Sequence, residues 1–270
     1  MARLRVVTLN LWGTTEPFGR RMELIESGLR ALEPDLVGLQ EVREVPGKLP
    51  NQAETLARAL GMHHAFAPAM DVAAEHGGGI EGDAILSRTP IKDQERVDLP
   101  HAMRDEKRVL LRCELDTPSG SLHALVTHLN WRMRHGRERE DQVVVIDEVV
   151  SRVQSGMPRV LMGDLNATPD CDEIRFLAGK HTLGGRRTYW QDAFACCNPG
   201  APGWTWARRN PGTHRLAFLE ADRRLDYIFV TPPARDGRGT VVESRVVLDL
   251  PAADGTWPSD HFGVFAVIEI

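Results

Sequence analysis

Near its C-terminus the chain reads Pro258-Ser259-Asp260-His261-Phe262-Gly263, and well before that Gly163-Asp164-Leu165-Asn166. An adjacent acid and imidazole in one place, and a carboxylate and amide two apart in another, suit metal-assisted hydrolysis of a phosphate ester. That chemistry needs hard oxygen ligands for a cation such as Mg²⁺, a group to position water, and cationic or amide donors for the phosphate oxygens. Either tetrapeptide alone says little. They gain force beside Gln40-Glu41, Thr127-His128 and Asp226-Tyr227, each bounding an apolar run.

Those residues have to be carried by strands. Arg3–Leu9 has the pattern of a short strand, and Arg20–Leu32 shows helical spacing through Met22, Ile25, Leu29 and Leu32. Pro34-Asp35 breaks that helix, and Leu36–Leu39 is an apolar run of the buried-strand type. Gln52–Leu60 is expected as a second helix, stopped by Gly61. Ala84–Ser87, Ile91–Leu99, Arg108–Leu115 and Ser121–Thr127 follow as strands, the last two joined by a turn at Thr117-Pro118-Ser119-Gly120. A long helix is expected over Gly136–Gln154, then strands at Arg159–Met162, Leu225–Val230, Val241–Leu250 and Phe262–Ile270. With no internal repeat or linker, the expectation is one domain over residues 1–270 of the α/β class: a four-layered sandwich of two packed, mostly antiparallel sheets flanked by helices.

The polar residues cluster where these elements end. Asn10 closes the first strand, Gln40-Glu41 the second and His128 the last of the middle set; Asp164 and Asn166 follow another, and Asp260-His261 precede the final one. Polar groups at strand ends can converge on one edge of a sandwich, where loops on a rigid scaffold carry catalysis. Taken singly, Asn10 or Asp164 reads equally as a turn cap, and His128 as a satisfied core histidine.

Composition bounds the rest. At 270 residues the chain is long enough for a sizeable core, and its 42% apolar and 26% charged content is ordinary for a soluble protein. A formal charge of −5 argues against gripping nucleic acid through a broad basic face, while leaving room for a locally positive cleft. The four cysteines, Cys113, Cys171, Cys196 and Cys197, lack zinc-type spacing and read as scattered core thiols of a reducing compartment. The N-terminus has no signal-peptide pattern, and no apolar run reaches the ~20 residues of a membrane span. A cytoplasmic monomer with no implied protein partner is expected.

Seven ordered motifs resemble those of the endonuclease/exonuclease/phosphatase superfamily, the deoxyribonuclease I-like fold: Thr8-Leu9-Asn10, Leu39-Gln40-Glu41-Val42, Gly82-Asp83-Ala84-Ile85-Leu86-Ser87-Arg88, Thr127-His128-Leu129, Gly163-Asp164-Leu165-Asn166, Arg224-Leu225-Asp226-Tyr227-Ile228 and Ser259-Asp260-His261. The resemblance implies a Mg²⁺-dependent phosphoesterase, with Mn²⁺ as the alternative ion. Glu41 would be the principal ligand and Asp260 a further carboxylate on the metal side. Asp164 would orient or deprotonate water, Asn10 and Asn166 would hold that water or phosphate oxygens, and His261 would stabilise phosphoryl charge with Asp226 fixing its tautomer. His128 stands where abasic-site endonucleases carry tyrosine, and is expected to be a second acid. Two positions depart from the pattern: Asp83 replaces a common asparagine, and Trp12 stands where some repair enzymes have an extra acid, which disfavours a two-metal site.

Specificity is expected from Arg43 and Arg108 and from the 200–224 segment, which holds Trp204-Thr205-Trp206, Arg208-Arg209 and Arg215. That loop is similar to the tyrosyl-DNA phosphodiesterase 2-like branch, except that Ala207 stands where the branch has aspartate. Trp204, Trp206 and Arg208 are candidates to stack bases and pair with phosphates; the alternative is that the indoles fill the core beneath a loop. Arg132-Met133-Arg134-His135-Gly136-Arg137 is either a solvated helix start or a basic flank of the cleft. Gly77-Gly78-Gly79 lacks the Lys-Ser/Thr of a P-loop, His63-His64 lacks a third ligand, and no Gly-x-Ser-x-Gly elbow supports a serine esterase. The reading is a phosphodiesterase acting on nucleic-acid ends or nucleotide conjugates. The alternatives are a phospholipid, sphingomyelin or inositol-phosphate head-group hydrolase and, from another class, a catalytically silent binding protein.

Overall fold

Arg3–Asn10 (β1) becomes fully buried in its second half, and the helix Phe18–Leu32 (α1) returns the chain to Leu36–Glu44 (β2), which pairs parallel to β1. Parallel neighbours require such a crossover. The structure, a computed structural model, describes residues 1–102, 106–153, 155–215 and 221–270. Asn51 caps Gln52–Leu60 (α2) by accepting from the amides of Ala53 and Glu54, and Gly61 ends it in the left-handed conformation, as its position suggested.

A strand not foreseen in the sequence follows, His63–Asp71 (β3), paired with Ile80–Ser87 (β4), which begins upstream of the expected Ala84. β3 is an edge strand whose inward positions are the small Ala65 and Ala67, and a register shift lies beside Pro68, so neither apolar content nor clean alternation marks it. The chain then crosses to a second ladder: Ile91–Asp98 (β5), Val109–Thr117 (β6), Gly120–His128 (β7), the helix Gly136–Ser151 (α3) and Arg159–Asp164 (β8). Gln154, where α3 was expected to end, lies outside the described residues, as do residues 216–220 of the specificity segment. Short elements Asp172–Leu177 (α4), Gln191–Asp192 (β9) and Ala193–Cys197 (α5) precede Asp226–Val230 (β10), Val241–Val247 (β11) and Gly263–Glu269 (β12).

The sheets run β11-β12-β1-β2-β4-β3 and β5-β6-β7-β8-β10-β9. Each is antiparallel except for one central parallel pair, β1/β2 in the first and β7/β8 in the second. Their facing sides meet through Val6, Leu36 and Ile85 against Val109, Val126 and Met162. Contact is closest at Gly38, where an added Cβ would lie 2.8 Å from Cβ of Met162. Ile25, Leu29 and Leu56 cover the outer face of the first sheet, and Val143, Ile146 and Phe176 that of the second. The result is the expected four-layered α/β sandwich. All four cysteines are free thiols, but only Cys113 is buried, because Cys171, Cys196 and Cys197 fall in the loops and short helices at one margin. Among the described residues no helix is long and apolar enough to cross a membrane.

Register decides where the polar residues go. Asn10 lies opposite Gln40 at the ends of β1 and β2, and His128 opposite Asp164 at the ends of β7 and β8. β10 runs antiparallel to β8, which sets Asp226 at its start against Asp164; β12 runs antiparallel to β1, which brings the residues just before Gly263 to the same edge.

A buried arginine fastens this edge. Arg21 on α1 donates to the carbonyls of Leu11, Trp12, Gly13, Thr15 and Pro258, joining the loop after β1 to the loop before β12. Its removal leaves several buried carbonyls unsatisfied, each costing ~1–3 kcal/mol. Arg21→Ala should therefore lower unfolding free energy by about 3 kcal/mol or more in urea titrations. Arg21→Lys, with a single ammonium that cannot reach all five carbonyls, should recover only a minor part.

Candidate active site

Glu41 sits in a bulge of β2, where the register with β4 shifts between Leu39 and Val42. Its φ of 54° is left-handed, unusual for a residue with a side chain, and re-aims the carboxylate out of the ladder. Asn10 holds it there: Nδ2 donates to Glu41 Oε1 at 3.0 Å and to Asp164 Oδ2 of the other sheet at 3.1 Å. The amide orientation is fixed because Asn10 Oδ1 accepts from the Trp12 backbone at 2.9 Å.

On the second sheet Asp164 Oδ1 accepts from the Asn166 backbone at 3.0 Å, leaving Oδ2 towards His128 Nε2 at 3.4 Å and His261 Nε2 at 3.7 Å. Asn166 Nδ2 donates to the Leu129 carbonyl at 3.1 Å and to His128 Nε2 at 3.0 Å, so that ring nitrogen is an acceptor. Burial, followed by the positive charges of Arg108 and His261, keeps His128 well below its ordinary value. The second acid expected at position 128 is thus a neutral imidazole in this geometry, with Nε2 unprotonated.

His261 is the opposite case. Burial opposes its charge, but Asp226 and Asp164 outweigh burial and hold the imidazolium well above its usual range. Nδ1 donates to Asp226 Oδ2 at 2.9 Å, which leaves Nε2 with its proton towards Asp164 and the cleft. Burial pushes Asp164 up to about 6, with His261 opposing. Burial pushes Asp260 up to about 7; His261 opposes, while Glu41 and Asp164 add to the rise.

Glu41, His128, Asp164, Asp260 and His261 line one cleft of about 580 Å³ with Glu81, Glu106, Arg108, Trp131, Arg132, Arg134, Asn166, Trp206 and Arg223, and Asn10 and Asp226 support it from outside the lining. Its carboxylates fit a divalent cation. Among the described residues Glu41, Asp164 and Asp260 form no ion pair with Lys or Arg, and their mutual repulsion in a buried place is what a bound cation relieves. Asp164, Asp226 and His261 also present ligand atoms within 4.8 Å of one another. There, however, the His261–Asp226 hydrogen bond already occupies Nδ1 and Oδ2, so Glu41 and Asp260 make the better oxygen pair. Asp83 lies behind the cleft, its carboxyl held well above the usual range by burial despite Arg108. A protonated acid there can donate a hydrogen bond as the asparagine of the resembled motif would.

A model of the Endonuclease/Exonuclease/phosphatase family matches residues 7–261. No curated protein is matched significantly by the sequence. Among solved structures, an endonuclease/exonuclease/phosphatase from Beutenbergia cavernae DSM 12333 is 25% identical with a TM-score of 0.77, over 100% of this chain and 72% of that one. D. rerio TDP2 complexed with single strand DNA product is 18% identical with a TM-score of 0.77, over 100% of both chains. An endonuclease/exonuclease/phosphatase from Bacteroides vulgatus is 17% identical with a TM-score of 0.74, again over 100% of both. The last two likenesses are of fold.

Three of the expected substrate contacts lie elsewhere. Arg43 is buried and turned to the carbonyls of His76 and Gly78, with Glu81 at 3.6 Å, so it supports the cleft wall from behind. Arg208 is exposed and paired with Asp222, outside the cleft lining. Trp204 is 47% exposed and borders other hollows, with Pro202 and Asp222, and not this cleft. Arg108 and Trp206 do line the cleft, but Trp206 is only 5% exposed, bridged to Arg223 through the backbone and covered by its guanidinium at 4.7 Å. Between the two indoles, Thr205 Oγ1 accepts from the amides of Leu225 and Asp226 and so sets the start of β10. Sequence reasoning passed over Glu81, Glu106 and Trp131; the last follows the Thr127-His128-Leu129 motif by two residues, which was a usable signal. Trp206→Ala should cost about 3–5 kcal/mol of stability, as for a core aromatic. Trp204→Ala should stay within about 0.5 kcal/mol. Denaturant unfolding of both variants checks the contrast.

Proposed function

The chain belongs to the endonuclease/exonuclease/phosphatase family, whose members are metal-dependent phosphoric-ester hydrolases, and on that premise we propose that it is a Mg²⁺-dependent phosphodiesterase acting at nucleic-acid ends or on nucleotide conjugates, with residues 1–270 working as one domain. The observation that carries this reading is the placement of His261 between Asp226, hydrogen-bonded to its Nδ1, and Asp164, 3.7 Å from its Nε2, with His261 and Asp164 in the same cleft as Glu41 and Asp260.

Glu41 and Asp260 are assigned as the oxygen ligands of the ion, which when bound supplies Lewis-acid stabilisation of charge on the phosphate. Asp164 is assigned to the attacking water. Its Oδ2, which also accepts from Asn10 Nδ2, faces the cleft histidines, and a carboxyl displaced to about 6 is basic enough to take a proton near neutrality. As the water oxygen bonds to phosphorus, one water proton passes to Asp164, the P–O bond to the leaving group breaks, and the leaving oxygen takes its proton from solvent water. His261 Nε2–H stabilises the phosphoryl oxygens, while Asp226 keeps the ring oriented through Nδ1. His128 and Asn166 act as a neutral pair beside Asp164.

The nucleotide preference rests on Arg108, Arg132 and Arg134 flanking an aromatic wall in a protein of net charge −5. That arrangement suits short or terminal substrates rather than duplex coated along its length. The TDP2 structure with a single strand DNA product shares this fold.

Bis-p-nitrophenyl phosphate hydrolysis, with and without Mg²⁺, tests the catalytic assignment. Glu41→Ala should abolish Mg²⁺ stimulation, and unchanged stimulation would remove Glu41 as a ligand. His261→Ala should cost on the order of 10²-fold in rate, the scale of a lost oxyanion donor, and His128→Ala less than that, since its unprotonated Nε2 cannot serve as the acid. A panel of oligonucleotides, sphingomyelin, lysophospholipids and inositol phosphates tests substrate class; turnover of lipid head groups with none of nucleic acid would overturn the nucleotide reading.

A further inference from the structure

We propose that Trp131, locked in place by Glu106, is the nucleobase platform of this cleft and sets its preference for a base next to the scissile phosphate. The inference rests on the nucleotide reading above and goes beyond it by naming the group that reads the substrate.

Trp131 is 45% exposed and lines the cleft shared by Glu41, Asp164 and His261. Unlike a freely solvated surface indole, it is tied at its one polar atom: Nε1 donates to Glu106 Oε2 at 3.1 Å. Glu106 is itself buried, and its other oxygen accepts from Arg108 Nη2 at 2.6 Å. One carboxylate therefore holds both the indole and the guanidinium of Arg108. The guanidinium of Arg132 lies 5.1 Å over the ring.

The backbone on either side is held as firmly. The carbonyls of Asn130 and Arg132 both accept from Arg139 Nη1, at 3.2 and 2.9 Å. The Asn130 amide donates to Gln142 Oε1 at 3.2 Å, and the Arg132 amide to Asn130 Oδ1 at 2.8 Å. Arg139 is anchored in turn by Glu173. A half-exposed indole with both its backbone and its ring nitrogen fixed is pre-organised to present a face at little entropic cost on binding. Trp206 is too buried for this, and Trp204 does not line the cleft.

An apolar lipid surface would call for unpinned side chains projecting from the rim. This ring is drawn back into the wall by Nε1, among Arg108, Arg132 and Arg134, which suits a flat base carried next to a phosphate.

The test is a double-mutant cycle. Full-length wild-type and Trp131→Ala enzymes, with Trp204→Ala as a control outside the cleft, are compared on single-stranded oligonucleotides carrying either an ordinary or an abasic nucleotide at each position flanking the cleaved phosphate. In the wild-type and Trp204→Ala enzymes, removing the base at one of these positions should lower kcat/KM by about tenfold to a hundredfold, the scale of one base–aromatic stack. In Trp131→Ala the same removal should cost less than about threefold, since the partner is already gone. Equal loss in Trp131→Ala and wild type at both positions would overturn the inference while leaving the nucleotide reading intact. If wild-type enzyme hydrolyses methyl p-nitrophenyl phosphate but no oligonucleotide, the nucleotide reading fails first and this inference with it. Trp131→Phe keeps a ring but lacks the tether to Glu106, and should retain part of the base dependence.

Discussion

Two carboxylates from different sheets share one amide. Asn10 Nδ2 reaches Glu41 on β2 and Asp164 at the end of β8, at 3.0 and 3.1 Å, in a place where burial makes their mutual repulsion costly. The catalytic edge depends on that bridge. It needs β1 to stand beside β2 in one sheet and to face β8 of the other, which the close approach of Gly38 to Met162 permits. The two sheets are built alike at this point: each has a central parallel pair made by a helical crossover, and each ends that pair in the polar residues of the site. Chemistry is thereby assembled from both halves, with β10 and β12 adding Asp226 and His261 because their antiparallel register returns the chain to the same end.

The charges are graded across this edge. His261, with Asp226 on one nitrogen and Asp164 near the other, is held protonated against its own burial. His128, beside Arg108 and His261, is held neutral. Two imidazoles within reach of the same carboxylate oxygen thus have opposite states: burial disfavours charge on both, Arg108 and His261 add to that at His128, and the hydrogen bond from Nδ1 to Asp226 helps reverse it at His261. A site that separates its groups in this way has a donor, an acceptor and a proton-accepting carboxylate ready before substrate arrives. The remaining acids, Glu41 and Asp260, form no ion pair with Lys or Arg among the described residues, and Glu41 raises the proton affinity of Asp260, which is the electrostatic reason a divalent ion belongs there.

Most of the strands and the edge they converge on were legible from sequence, because apolar runs ending in polar residues mark buried strands entering a site. β3 was not, because an edge strand faced inward with alanine carries too little apolar signal. Arg21 and Arg139 were not, because their partners are backbone carbonyls and, for Arg139, a distant glutamate, and any surface arginine looks the same on paper. The Trp204-Thr205-Trp206 loop shows a different limit. The sequence left both indoles open to stacking on substrate or to filling the core; residues two apart would share one face of a regular strand, but the chain bends at Thr205 between them. Trp206 therefore went inward under Arg223 and Trp204 outward, off this cleft. The residue two past Leu129 was better placed, since it leaves a strand end already fixed by catalytic register.

What makes these strand ends dependable is a recurring local device. Asn10 Oδ1 accepts from the amide of Trp12, Asn130 Oδ1 from that of Arg132, and Asp164 Oδ1 from that of Asn166, each a side chain closing a turn on the backbone two residues on. Trp12, Glu41 and Asn166 all have left-handed φ, at 58°, 54° and 49°, a conformation costing of order 1–3 kcal/mol per residue. The turn bonds offset part of that cost at Trp12 and Asn166, and they also choose which atom is left over. With Oδ1 of Asn10 taken, Nδ2 must face the two carboxylates; with Oδ1 of Asp164 taken, Oδ2 must face the histidines. With Oδ1 of Asn130 taken, its amide nitrogen turns to Glu138 and the carbonyls around Trp131 remain for Arg139. The orientation of each functional atom is thus settled by a hydrogen bond within its own turn, and the long-range contacts have only to bring the turns together.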